Sequence, residues 1–439
     1  MPKLLKSLAL VVALPLLLAG CKINSINYFP PTPAHLRVVN VLATTTPINV
    51  TANGVAAWSN VGFEGMTGYQ DFENITQTFT VTLAGATTSL VSQTYNPAGN
   101  EHYTLVVYGT VFSPQLGVMA DPSQPTASGK FALNVFNAAP VGNGNTLGLS
   151  PLDIYLTPPG QALDNVSPIF TYIAYTNSNI FGQFASGQYQ LRMTVAGTKT
   201  VVYDSGAITF ADQTSTDVII YSRGSQVLVN VLLDDSDGAG QQVVANSTLS
   251  RLKVVNAAFQ TGAVNQLLNG VSGVSNLQFA TASPYTIIPS GAATVSFEAN
   301  AAPGATIASL ANTFIPAMDQ SVFVTGFSGM TSATGLIDNN SPPLNNYASV
   351  RFVNTSPDSK PLDVYANDVL QASAVGTYAA SAYVALAAGT TFTLVFKDST
   401  TQAIVLTMPN QTLATLETFS VYVIGPAGAL AGMLTPDTP

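Results

Sequence analysis

His35 and His102 are the only imidazoles in the 439 residues. A hydrolytic triad or a zinc site needs several bases or ligands brought to one point. Both histidines fall in one of four comparable stretches of the chain, so they read as strand-end or surface residues. Gly270-Val271-Ser272-Gly273 and Gly326-Phe327-Ser328-Gly329 come nearest to the Gly-x-Ser-x-Gly elbow of a serine nucleophile, and neither completes it. Asp234-Asp235-Ser236-Asp237-Gly238 invites a cation. With Gly238 at the sixth position of an EF-hand-type loop, Leu233 and Val244 fall where the first and last oxygen ligands belong. Asp234, Asp235 and Asp237 are therefore weak candidates for an irregular calcium site, and a solvated hinge is the plainer reading. No catalytic set and no cofactor is implied, and the chain reads as a protein without enzymatic activity.

The one cysteine, Cys21, offers a different chemistry. It follows Lys3 and Lys6 and an apolar run from Leu8 to Leu18 interrupted only by Pro15. A membrane-spanning helix needs about 20 apolar residues, so the shorter run fits the core of a signal peptide. Leu18-Ala19-Gly20-Cys21 resembles the lipobox of bacterial lipoproteins. That resemblance implies cleavage between Gly20 and Cys21, a diacylglyceryl thioether on the Cys21 sulfur and acylation of the new amino terminus. Stable anchoring takes two or more acyl chains. Lys22, rather than Asp, follows the cysteine, which by the sorting rule of enteric bacteria favours the outer membrane. The expected location is the cell envelope, held through lipid and facing the periplasm or the outside. Pro30-Pro31-Thr32-Pro33 predicts an extended, semi-rigid tether.

Charge is scarce. Asp, Glu, Lys and Arg make up 8% of the chain, against roughly 25% in ordinary soluble domains. The formal charge is −9, and there is no basic cluster to draw on counterion release, which excludes nucleic acid as a partner. With its one cysteine assigned to lipid, the chain has no internal disulfide and stands on packing.

Four copies of one pattern position these residues. Leu36-Arg37-Val38-Val39-Asn40, Leu133-Asn134-Val135-Phe136-Asn137, Leu252-Lys253-Val254-Val255-Asn256 and Val350-Arg351-Phe352-Val353-Asn354 open the copies. The polar second residue between apolar neighbours predicts a strand with one face in and one face out. The asparagines sit where a strand must end and suit bonds to nearby backbone. A second motif carries Asn49, Asp153, Asn265 and Asp363 as strand-start polar groups. In three copies it leads to a turn pair, Asn53-Gly54, Asn269-Gly270 and Asn367-Asp368. Val106-Val107-Tyr108-Gly109, Ile219-Ile220-Tyr221-Ser222, Phe323-Val324-Thr325-Gly326 and Tyr422-Val423-Ile424-Gly425 close the copies. The second copy is the longest, with a loop around Gly142-Asn143-Gly144-Asn145. Acidic joints, Asp121-Pro122, Asp234 to Gly238 and Asp338 to Pro343, separate the units.

Short strands, frequent turns and almost no helical periodicity predict an all-β chain. It comprises four tandem immunoglobulin-like antiparallel β-sandwich repeats after a lipoprotein signal peptide. The expected boundaries are signal peptide 1–20, lipidated tether 21–34, and repeats 35–128, 129–247, 248–346 and 347–439.

The motif order is similar to a bacterial extracellular repeat family, the domain of unknown function 4397. Val353-Asn354-Thr355-Ser356-Pro357-Asp358 and Leu362-Asp363-Val364-Tyr365 match its pattern best. The first copy has Thr44-Thr45-Thr46 in place of Ser-Pro-Asp, and the third lacks the Asp and Tyr of the second motif. The resemblance implies sandwich architecture and an envelope location, with no activity attached.

Two functions follow as expectations. One is a structural or interaction module that displays sandwiches from the envelope to a protein, polymer or surface, with its last repeat farthest from the membrane. The alternative is a carbohydrate-binding module for an envelope or extracellular polysaccharide. That reading needs exposed rings among Trp58, Tyr172, Tyr175 and Tyr285.

Overall fold

The computed structural model describes residues 32–42, 47–110, 113–121, 126–139, 151–178, 180–222, 230–235, 242–245, 248–338, 346–415 and 417–437. Gly20, Cys21, the tether before 32, the 140–150 loop and Asp237 lie outside the described residues. Asp234 and Asp235 are described as part of the strand Asn230–Asp235.

Among the described residues there is no helix, and eight sheets form four two-sheet sandwiches. The all-β, immunoglobulin-like tandem architecture is what the chain adopts. In the first unit one sheet holds Ala34–Asn40 between the short strands Gly65–Met66 and Gln70–Phe72 on one side and His102–Thr110 and Ser113–Ala120 on the other. We call this the seam sheet. The outer sheet runs Val55–Val61, Ile48–Ala52, Gln77–Leu83 and Ser89–Tyr95. The other units repeat this order, with a single strand in place of the two short ones in the second and fourth units and an added last strand, Gln242–Ala245, in the second. The antiparallel sandwich carries one parallel pair per unit, between the opening strand and the strand of the third motif, with His35 beside His102 and Arg351 beside Ser420. The two halves of the sequence pattern thus meet at the centre of one sheet. Each unit closes on its own apolar core. Leu36, Val38, Val50, Phe79 and Leu105 lie in the first, and Val350, Phe352, Leu394, Phe396 and Val421 in the last.

The repeated polar residues build this frame. Asn40 Nδ2 donates to the Val61 carbonyl at 2.9 Å, and its Oδ1 accepts from Leu42 N. Asn137, Asn256 and Asn354 make the same pair of bonds, to Ile173 and Ala139, Leu277 and Ala258, and Val375 and Ser356. Each one stitches the end of the seam sheet to the outer sheet and satisfies backbone that burial would otherwise orphan. Asn49, Asp153, Asn265 and Asp363 accept from the amides of Asn60, Tyr172, Asn276 and Ala374 on the neighbouring strand. In three units the pairing slips register there, and the carboxylate or amide fills the gap that the bulge opens. At the turns Asn53, Asn269 and Asn367 take left-handed φ of 50°, 50° and 44°, and each side chain accepts from the strand beyond, at Thr78, Thr294 and Thr393. Gly109, Gly326 and Gly425 close the third motif at positive φ, where a Cβ would strike the carbonyl of the returning strand.

One expectation is corrected. The polar second residue of the opening motif does not face water: Arg37, Asn134, Lys253 and Arg351 are exposed by 2%, 1%, 1% and 2%. The alternation is real, but the second face is covered as well. Val39, Val41, Val106, Tyr108 and Met119 of the first unit pack against Phe136, Ala138, Ile219 and Tyr221 of the second. Val255, Ala257 and Phe323 of the third pack against Val353, Tyr422, Ile424 and Met433 of the fourth. The units stand as two face-to-face pairs rather than as a string of separate sandwiches. The acidic joints change character accordingly: Asp121 and Asp338 are buried in the seams.

Asn256 shows how far the frame depends on these bonds. Asn256→Ala removes one acceptor and two donated bonds, to Gly262 and Leu277, at a fully buried site. The expected loss is about 3 kcal/mol, read as a lower urea midpoint at unchanged slope.

Candidate functional site at the seams between units

The chemistry-bearing side chains gather where seam sheets face one another. Arg351, on Tyr347–Asn354, crosses to the third unit, where it pairs with Asp338 and donates to the Ile337 carbonyl at 3.0 Å. Lys253, on Leu249–Phe259, crosses the other way to Asp437 and the Pro436 carbonyl. Each unit therefore lends a cation to the other's closing acid. Tyr285 donates to Asp338 and Tyr383 to Asp437, at 2.6 and 2.9 Å. Ser321 and Ser420 donate to the same two carboxylates. The Arg351 Nε sits on Ser420 Oγ at 2.6 Å, and its guanidinium lies 5.1 Å from the Tyr383 ring centre. Arg251 pairs with Asp319 beside this network.

The first seam keeps half of that scheme. Tyr69 donates to Asp121, Thr104 donates to Asp121 and accepts from Arg37, and Arg37 lies 4.6 Å over the Tyr69 ring. Arg37 then reaches Asp217 of the second unit at 2.7 Å. Asn134 stands where the other units have Arg or Lys. It donates to the Ala120 carbonyl at 3.0 Å, across the seam in the same direction as its counterparts. Tyr221 adds a bond of 2.6 Å to Glu64.

Burial sets the protonation of these groups. For Lys253, burial works against the charge and is the largest single effect, but Asp437, Tyr422 and Asp338 together outweigh it and hold the ammonium above its ordinary value. For Asp437, burial pushes upward, while Lys253 and Arg351 pull harder and hold the carboxyl below its ordinary value. Burial raises the Tyr69, Tyr285 and Tyr383 phenols well beyond the usual range. The carboxylates are matched by cations and hydroxyl donors.

The sequence-predicted candidates fall elsewhere. His35 stacks on His102 at 4.6 Å between centroids and bonds Asp71 at 2.7 Å. Burial and the neighbouring His35 lower the His102 pKa. Among the described residues no cluster of three His, Cys, Asp or Glu side chains is placed to hold a metal ion. Trp58 is buried at 4% exposure, Tyr175 packs into the first seam and Tyr285 into the second; Tyr172 stands out at 70%. No row of exposed rings forms from these four.

Sequence reading missed Tyr69 and Tyr383 and took Tyr285 for a candidate exposed ring rather than a member of the network. They belong to a short repeat, Thr67-Gly68-Tyr69, Ser283-Pro284-Tyr285 and Ser381-Ala382-Tyr383. Its hydroxyl accepts from Val38, Val254 and Phe352 of the opening strand. The signal was visible as a Ser/Thr-x-Tyr spacing in three copies, each a fixed step after the strand-ending Asn.

The family model described as Domain of unknown function (DUF4397) matches residues 34–143, 250–362 and 348–439. No curated protein matches the chain. Solved structures similar to parts of it include a streptococcal virulence factor described for α-glucan binding, at 9% identity and a TM-score of 0.17 over 43% of this chain and 93% of that one. A protein described as a cell-adhesion candidate from Bacteroides uniformis aligns at 11% identity and 0.20, over 48% and 98%. The Bacillus anthracis TIE protein aligns at 10% and 0.14, over 67% and 50%. Likeness at this level carries no functional argument.

Two outcomes follow from the seam. Arg351→Met leaves Asp338 and Asp437 short of a cation and should cost about 3–5 kcal/mol, measured by denaturant titration. The Lys253→Met, Asp437→Leu double variant should recover much of the corresponding single-site loss. Stability should also fall on both flanks of pH. Asp437 is depressed, so its contribution is present above the ordinary Asp value of 3.8 and is lost as pH falls through the folded value. Lys253 is raised, so its contribution is complete below 10.5 and is lost as pH rises through the folded value. Tyr285 and Tyr383, also raised, act in the same alkaline direction from 10.0. Melting temperature followed from pH 2 to 12 checks both flanks.

Proposed function

The chain belongs to the family of DUF4397 domains, and on that premise we propose that it is a non-catalytic cell-envelope lipoprotein. In this reading a lipid on Cys21 tethers it to the outer membrane, and its four sandwiches form an adhesion-like interaction module. One observation carries the non-catalytic part: the titratable groups that converge in the seams, Arg37, Asp121, Asp217, Lys253, Asp338, Arg351 and Asp437, are buried against one another. They are matched by charge and by Thr104, Ser321, Ser420 and tyrosine hydroxyls, and they hold the units in pairs. What remains for recognition is the outer sheets, whose Thr and Ser side chains pair across strands, as Thr80 does with Ser92 and Thr78 with Thr94. Such faces suit an envelope protein or polymer better than a charged partner.

The polysaccharide alternative is weaker, because of Trp58, Tyr172, Tyr175 and Tyr285 only Tyr172 is exposed. Binding on a panel of envelope glycans, lost in Tyr172→Ala, would restore it. The envelope reading is tested in cells. Palmitate label should enter the protein, and Cys21→Ser should abolish labelling and release the chain from the membrane fraction. An unlabelled wild-type protein, or membrane retention without Cys21, overturns the anchor.

A further inference from the structure

The second seam is nearly symmetric, and it departs from symmetry at one position. After the strand-ending Asn of each opening motif, one residue of the chain folds back and donates its amide to that Asn carbonyl. The residues are Glu64, Thr176, Ala280 and Tyr378, at 2.8, 2.8, 2.9 and 2.7 Å. All four share left-handed φ, at 61°, 70°, 59° and 61°. Three of the side chains reach a seam, whereas Thr176 is exposed. Glu64 accepts from Tyr221 across the first seam. Tyr378 packs its ring on the apolar cluster of the second. Ala280 occupies the symmetry-related place and brings only a methyl group.

A cavity of about 470 Å³ lies at that spot. Ala280, Ala282 and Pro284 of the third unit wall it on one side, and Met433 and Pro436 of the fourth on the other, with Lys253 at its floor. A cavity of about 150 Å³ already accepts a benzene ring, and ligand sites start at about 300 Å³. Thr435 also lines the cavity, but its Oγ1 is closed off from it and offers an occupant no bond. Met433 and Thr435 alternate with Leu434, so both face the seam while Leu434 packs into the fourth unit's own core. Lys253 adds no net charge, because Asp437 is on it.

We propose that this cavity is a binding site for a small, uncharged, single-ring aromatic ligand. The ring stacks between the alanine–proline wall and Met433, in the place that the Tyr378 ring fills on the opposite side of the seam. A carboxylate or an ammonium is excluded, because the ion pair at the floor is already balanced and a further charge there would be buried unpaired. The inference does not rest on the adhesion reading and stands or falls without it.

p-Cresol, the tyrosine side chain as a free molecule, is the probe. Titrated into the full chain, it should bind saturably at one site with a dissociation constant of about 1 mM or tighter, as suits a ligand of this size, and it should raise the melting temperature. Ala280→Tyr fills the cavity as Tyr378 does and should abolish binding. Ala282→Leu fills part of the same space from the third unit's wall and should weaken binding by about tenfold. p-Hydroxybenzoate should bind at least tenfold more weakly than p-cresol. Absence of saturable binding to the wild-type chain up to about 10 mM overturns the proposal. Undiminished binding to both variants overturns it equally, and if Ala280→Tyr does not fold, undiminished binding to Ala282→Leu alone suffices.

Discussion

The structure turns on cations buried at the second residue of the opening strand. Each of Arg37, Lys253 and Arg351 sits at the centre of a sheet, on the face directed away from its own core. Alone, such a charge would have to stay in water, since burying it unpaired costs several kcal/mol. It is tolerated because a second unit brings an acid and a carbonyl to meet it. The converse holds for Asp338 and Asp437, which close their units at fully buried positions. Neither sandwich of a pair is a complete solution for its own charges, and the pairing of units follows from that more than from apolar area. In a chain with 8% charged residues, the few charges are concentrated where they dictate geometry.

The two seams use the same device with different completeness. The third and fourth units exchange Lys253 and Arg351 for Asp437 and Asp338, so cations and acids balance across the pair. In the first seam Asn134 replaces the second cation, and Asp217 takes the strand position that Thr104, Ser321 and Ser420 hold elsewhere. The outcome is one guanidinium facing acids from both sides, supported by the Tyr221–Glu64 bond. The carbonyl contact survives the change: Asn134 donates to Ala120 as Arg351 donates to Ile337 and Lys253 to Pro436. Geometry is kept where charge is not, so the backbone carbonyl is the shared part of the lock.

Much of this was legible in the sequence. The four opening strands, the Asn turns and the backbone-bonding role of Asn40, Asn137, Asn256 and Asn354 lie where local chemistry puts them, because a period of two, the conformational freedom of one residue, or a bond to backbone 21 to 36 residues away decides each. The burial of Arg37 was not legible. A period of two says that the two faces of a strand differ; it does not say that either is wet. The partner of Arg37 is 180 residues away, and nothing near Arg37 distinguishes a buried arginine from an exposed one. The tyrosines of the seam were hidden for a different reason. Tyr69, Tyr285 and Tyr383 sit in irregular segments between short edge strands, outside the periodic stretches that carry a strand signal.

Pairing also decides what is left to face outward. With both faces of each seam sheet covered, the outer sheets and their edges are the accessible surface of every unit. The edge strand that follows each Asn turn exposes a valine: Val55, Val271 and Val369, at 71%, 69% and 62%. In the second unit Tyr172 stands on the corresponding edge. These edges are short and begin at a tight turn, which limits strand addition from a second chain. The broad faces behind them carry hydroxyls and amides with few charges, Asp204, Glu298 and Lys397 among them. A surface of that kind gains little from long-range attraction and much from repeated, weak, short-range contact. Four similar copies held in fixed pairs supply that repetition, because units locked together present their faces at constant spacing, and contacts that are individually weak then add through effective concentration.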